Sequence, residues 1–334
     1  MQLEVLDYAF MQRALWAALL VGLAAPSVGI YLVQRRLSLI GDGLGHVALT
    51  GVAVGLVTSR SPVWTALVAA AIGAVAIELV RARGRTSGDV ALAVLFYGGL
   101  AGGVVVVSHA PAGTTVNLDT YLFGAITTTT TGDLRVFLAL TVLILVVTHG
   151  FGRYLFSVSN DEEYALASGL PVLRLNVLLA VVTSVTVVVS MRVVGLLLIS
   201  ALMVIPVATA QLLTRSFRST VLVATALATL ASVSGVGSSY YLGTPSGGTI
   251  VLIALAAFMV VAAAVAARER LVGAPHRQPV SEAEERNEVG ALVDEAGAVE
   301  GDLPTPPHAP APPDPRAPPA DPAQPAQPSG SGLG

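Results

Sequence analysis

The chain has 334 residues, of which 54% are hydrophobic and only 12% charged, and its mean hydropathy is +0.76. That balance excludes an ordinary soluble domain and makes the bilayer the expected solvent, while the formal net charge of −3 says little about partners because acids gather in the C-terminal stretch and the apolar body carries mainly arginine. Cysteine is absent, so disulfides, thiolate metal sites and cysteine nucleophiles are excluded, and any metal must be met by nitrogen and oxygen.

A bilayer core about 30 Å thick takes roughly 20 apolar residues per helix. Nine such segments are expected, at about 10–33, 39–58, 62–80, 88–108, 133–150, 172–190, 193–213, 219–241 and 248–267. Glu4 and Asp7 precede the first, which is the reverse of a charged leader with a small-residue cleavage site, so a retained span and no signal peptide are expected. With nine crossings, Arg35, Arg36, Arg81, Arg83, Arg85, Arg153, Arg174, Arg215, Arg218, Arg268 and Arg270 fall on one side, leaving Arg13, Arg60, Arg135 and Arg192 on the other. The arginine-rich side is expected to be the cytoplasm, with the N-terminus outside and the C-terminus inside. Residues 1–270 therefore read as one membrane domain. Residues 271–334, rich in Pro and Ala, read as a disordered cytoplasmic tail, because they offer too little apolar surface to offset their ordering entropy.

The stretch 35–51, Arg-Arg-Leu-Ser-Leu-Ile-Gly-Asp-Gly-Leu-Gly-His-Val-Ala-Leu-Thr-Gly, holds the most chemistry. Asp42 and His46 are four apart and share one helical face. An ionisable pair within an apolar span is expensive and marks an ion or substrate path, and carboxylate with imidazole suits zinc, manganese or ferrous iron. Two plainer readings stand beside this one: a buried ion pair that fixes packing, or an Asp capping its helix near the membrane surface. Further along, 160–171 is too short and polar to span. Asn160 is placed to cap a helix with Asp161, Glu162 and Glu163 in its first turn, and Gly169 and Pro171 are placed to end it. Glu78 reads as a surface salt-bridge partner of Arg81 or Arg83. His109 and Asp119 flank an outer loop and are weaker path candidates.

These segments carry a resemblance. The pattern around Asp42 and His46 looks like the second-span signature of the zinc/manganese/iron-type ABC permease family. Residues 192–210, with Pro206 inside an apolar run, are similar to that family's distinctive late segment; 239–250 (Ser-Tyr-Tyr-Leu-Gly-Thr-Pro-Ser-Gly-Gly-Thr-Ile) resemble its last outer loop, and 117–124 its short segment between spans four and five. Gly243 departs from it, standing where many members have Asp. The resemblance covers most of 10–268 in order and leaves the tail outside.

The resemblance implies an all-α, polytopic membrane protein of about nine transmembrane helices with a type II ABC importer-like permease fold. Such a protein imports a divalent transition metal, zinc or manganese ahead of iron, across the bacterial cytoplasmic membrane. It also implies that Asp42 and His46 line the path, and that Glu162, Glu163, Tyr164, Ala165, Gly169 and Leu170 belong to a coupling helix seated on an ATPase. The implied partners are a cytoplasmic ATPase dimer, an extracytoplasmic metal-binding protein and a second permease copy, with surrounding lipid and no nucleic acid. No permanently bound cofactor is expected, only the transported Zn2+, Mn2+ or Fe2+. An enzyme is not expected: no phosphate-cradling Gly-x-x-x-x-Gly-Lys segment can exist in a chain without lysine, and no His-Glu-x-x-His helix occurs. The rival within the same class is an ABC permease for a metal chelate such as a siderophore or corrinoid.

Overall fold

The computed structural model describes residues 8–83, 88–109, 119–124 and 129–272. The stretch 273–334, which holds nearly all of the expected tail, lies outside them. The described residues form twelve helices: α1 (Ala9–Gln34), α2 (Ile40–Val57), α3 (Pro62–Ala82), α4 (Gly88–Ser108), α5 (Asp119–Phe123), α6 (Thr131–Gly150), α7 (Gly152–Asn160), α8 (Glu162–Ala167), α9 (Val172–Met191), α10 (Leu196–Leu213), α11 (Phe217–Leu242) and α12 (Ser246–Val272).

Eight of these are long and apolar enough to cross a membrane, and α10 carries a shorter apolar stretch, Leu198–Leu213. The nine expected spans therefore correspond to nine helices of at least 18 residues, α1–α4, α6 and α9–α12. The seventh span was expected from residue 193, but residues 192–194 form a turn and Gly195 sits at φ +87°, so α10 begins only at Leu196. Its 18 residues extend about 27 Å, the same length as α2.

α1, α9 and α10 form the middle of the bundle. α10 touches α1, α2, α5, α9, α11 and α12, while α9 joins α1 to α2 and α3. Lipid cannot drive helices together by hydrophobic burial, so small residues that admit close backbone approach set the packing. Gly99 of α4 lies so near α2 that a Cβ there would stand 2.6 Å from the Val47 nitrogen and 2.7 Å from the His46 carbonyl carbon. Thr50 Oγ1 donates to the Gly99 carbonyl across the same contact. Pro26 in α1 and Pro206 in α10 are accommodated inside helices, as is common where neighbouring spans surround the freed carbonyl.

At the end of the bundle opposite α8, three distant segments meet. Gly124 (φ +75°) and Gly195 (φ +87°) lie back to back, and a Cβ on either would strike the other's backbone. Ser246 at the start of α12 donates its hydroxyl to the Val193 carbonyl at 2.8 Å. The Arg192 guanidinium reaches Asp133 of α6 at 3.0 Å and covers the Tyr121 ring at 5.6 Å. Burial pushes the Tyr121 phenol upward in pKa despite the neighbouring arginine, so it meets Arg192 as a neutral ring.

Candidate functional site: a carboxylate and imidazole pair on α2

Asp42 lies in the first turn of α2, where free backbone N–H groups and the helix dipole suit an acid. It is half-buried. His46, one turn on, is 7% exposed and interacts electrostatically with Asp42. Its Nδ1 has no hydrogen-bond partner among the described residues, and the ring stands edge-on to Phe96 of α4 at 4.2 Å between centroids. A buried imidazole nitrogen without a partner is costly unless something else comes to it. Asp42 opens on a groove of about 300 Å³ between α2 and α4, walled by Leu39, Gly43, Leu92, Phe96 and Tyr97. Asp42 is therefore reachable from the flank of the bundle, while His46, one turn on along the same helix, is buried and does not line the groove.

Chemically the pair offers one carboxylate and one imidazole. Among the described residues no group of three or more His, Cys, Asp or Glu stands together, so a single chain cannot close a tetrahedral shell there. An incomplete shell fits a way-station better than a storage site.

Of the weaker candidates, His109 stands apart from the pair. His109 lies beyond the end of α4, thirteen residues past Phe96, or about 20 Å along a helix axis. Its Nδ1 is engaged with the Val105 carbonyl at 2.8 Å. The side chain of Asp119 is outside the described residues. Glu78 is buried and pairs with Arg81 at 2.7 Å, the salt bridge expected of it.

The second element is α8. Its N-cap is Asp161, whose carboxylate accepts from the Tyr164 N–H at 2.9 Å. Asn160, expected as the cap, instead closes α7, because the amphipathic run 152–160 forms a helix of its own. The Gly169 N–H reaches the Leu166 carbonyl and the Leu170 N–H the Ala165 carbonyl, a Schellman ending that needs Gly169 at φ +79°. Ala165 is buried, Glu163 is exposed, and Tyr164 and Leu166 stand 67% and 66% exposed, a protruding apolar tip on a polar helix. Glu162 ties this helix to the bundle: Arg35 Nη2 donates to its Oε2 and Asn176 Nδ2 to its Oε1, each at 3.0 Å. Arg35 and Asn176 were not singled out from sequence as parts of this element. The available signal was Asn176 itself, an amide inside an otherwise apolar span.

The model of the family described as "ABC 3 transport family" matches residues 7–265. A probable metal transport system membrane protein of Treponema pallidum is 34% identical over 259 residues, covering 78% of this chain and 97% of that protein. The manganese transport system membrane protein MntC of Halalkalibacterium halodurans is 31% identical over 255 residues, covering 76% and 87%. Among solved structures, PsaBC from Streptococcus pneumoniae in complex with Fab is similar at a TM-score of 0.70 and 30% identity, over 78% of this chain and 94% of that one.

Proposed function

The chain belongs to the ABC 3 transport family, and on that premise we propose that it is the membrane-spanning permease subunit of an ATP-driven importer for a divalent transition metal, manganese first and zinc next. The observation that carries the proposal is the Asp42–His46 pair: an acid that lines a groove in an otherwise apolar bundle, one helical turn from a buried imidazole with an unpartnered nitrogen. Oxygen and nitrogen donors suit manganese and zinc alike, and the name of the Halalkalibacterium relative, a manganese transport system membrane protein, supports putting manganese first.

The permease is the pore and not the motor. ATP hydrolysis belongs to a separate cytoplasmic ATPase dimer, and an extracytoplasmic binding protein delivers the ion. Two permease copies about a twofold axis would offer two Asp42 and two His46 side chains, a four-ligand station that neither copy has alone. α8 would rest on the ATPase through Tyr164 and Leu166 and pass closure to the bundle through Glu162 and Arg35, biasing the path between outward and inward states. The arginine distribution supports α8 and the C-terminus on the cytoplasmic side and the N-terminus outside.

The test is metal accumulation in cells lacking this gene, complemented with wild-type, Asp42→Asn or His46→Ala chains at matched membrane levels. Total manganese, zinc and iron are read by mass spectrometry. Wild-type should restore one metal and the variants should not. Restoration by either variant at the wild-type rate removes the pair from the path, and no change in any metal with wild-type present moves the chelate permease to first place.

A further inference from the structure

We propose that the cleft between α1, α6, α7 and α11 binds one anionic phospholipid from the leaflet on the α8 side of the membrane. The cleft has a volume of about 660 Å³, in the range of small-molecule sites. Its wall includes Tyr31, Arg153, Phe156, Phe217, Arg218 and Leu222, drawn from the end of α1 and the starts of α7 and α11.

Depth in the membrane follows from α7. This nine-residue helix buries Leu155 and Val158 and exposes Arg153 and Tyr154, the pattern of a helix lying in the interfacial plane. The mouth of the cleft is then at headgroup level. Leu222, 71% exposed on α11, continues its wall into the hydrocarbon.

Charge selects the occupant. Arg35, Arg81 and Arg192 each have a carboxylate within 3.0 Å. Arg153 and Arg218 have no ion-pair or hydrogen-bond partner among the described residues, and both line this one cleft. Two guanidinium groups facing one space call for a diffuse anion with several acceptor oxygens, which a phosphodiester supplies. Basic pockets between spans at the cytoplasmic interface have this use. A zwitterionic lipid would bring its own cation against the same arginines, so a net negative headgroup fits better. Tyr31 already donates its hydroxyl to the Thr148 carbonyl at 3.1 Å. Its ring, 5.5 Å from Phe217, and the Phe156–Phe217 pair at 4.8 Å form an apolar floor for the glycerol and the upper acyl chain.

The test uses the full chain purified in neutral detergent and titrated with dioctanoyl-phosphatidylglycerol, dioctanoyl-phosphatidylcholine or inorganic phosphate, with binding read as a rise in unfolding temperature and as lipid retained in native mass spectra. Phosphatidylglycerol should stabilise wild-type, while phosphatidylcholine and phosphate should do so far less. Arg153→Gln and Arg218→Gln should each weaken the apparent affinity about fivefold and the double variant about 30-fold. Lysine at both positions should restore binding, which separates charge from a structural role, and Arg174→Gln, an exposed arginine outside the cleft, should leave it unchanged. An unaffected double glutamine variant, or equal stabilisation by phosphatidylcholine, overturns the proposal; equal stabilisation by phosphate replaces the lipid with a free anion.

Discussion

The carboxylate of Glu162 on α8 accepts a hydrogen bond from the guanidinium of Arg35, 3.0 Å away at the C-terminal end of α1, seven residues before Asp42. The bond joins the short helix that protrudes from the bundle to the segment leading into the Asp42–His46 pair. Glu162 is 52% exposed, so the pair adds no more than about 1 kcal/mol to static stability. Its value would lie in transmitting motion. Glu162→Gln keeps the Asn176 contact available and removes only the charge. Metal uptake should fall severalfold with the unfolding temperature little changed, and Arg35→Gln should add little further loss in a double-mutant cycle. Additive losses would show that the two residues act separately.

Asp133 holds two elements at once. One oxygen closes a capping box with Thr130 at the start of α6, and the other meets Arg192 at 3.0 Å, with both side chains mostly buried. Asp133→Asn retains the box geometry but removes the charge that offsets Arg192. A charge-assisted bond of this kind contributes about 1.5–3 kcal/mol. Asp133→Asn and Arg192→Gln should each lower thermal stability in detergent by that order, and the double variant by less than the sum. A strictly additive result would mean that the two side chains do not support one another.

Gly195 and Gly243 both sit at positive φ, but their surroundings differ. A Cβ on Gly195 would strike Leu122, Phe123 and Gly124, whereas Gly243 (φ +63°) faces open space at the end of α11. Gly243→Ala should cost only the left-handed backbone penalty of about 1–2 kcal/mol, and Gly243→Asp less, since Asp visits that region more readily. Gly195→Ala adds a backbone collision and should sharply reduce folded protein in the membrane. Comparable thermal shifts for the two alanine variants would contradict this account.

That contrast shows what the sequence made legible. Gly243 was visible as a departure from the family pattern, and its position as a helix terminator explains why a glycine is at home there without invoking ion entry. The eight long spans were readable because length and hydropathy leave little choice once lipid is the solvent, and Asp42 with His46 stood out because charge in such a span is costly. α10 was misjudged at its start because apolar content cannot reveal the turn at 192–195, which depends on Gly124 from another segment. α7 was missed because the expected spans stopped at 150 and the connector was taken up only from 160, although Leu155 and Val158 already carry a helical apolar spacing. The Glu162–Arg35 contact joins residues 127 apart, and no local pattern encodes it.

Adjacent glycines on α4 allow the geometry of the α2 pair to be tested without touching Asp42 or His46. Gly98 faces open space, with nothing within 4 Å of a Cβ placed there, while Gly99 packs directly on the backbone of His46 and Val47. Alanine is the better helix former by about 0.5–1 kcal/mol, so Gly98→Ala should be neutral or slightly stabilising and should transport normally. Gly99→Ala must push α4 away from α2, stretch the Thr50 bond to the residue 99 carbonyl and withdraw Phe96 from the imidazole. Displacements near 1 Å at a ligand site can cost on the order of 100-fold in rate. Metal uptake at matched membrane levels should therefore fall at least tenfold for Gly99→Ala and remain intact for Gly98→Ala. If both transport at the wild-type rate, the α2–α4 contact does not position His46 for the ion.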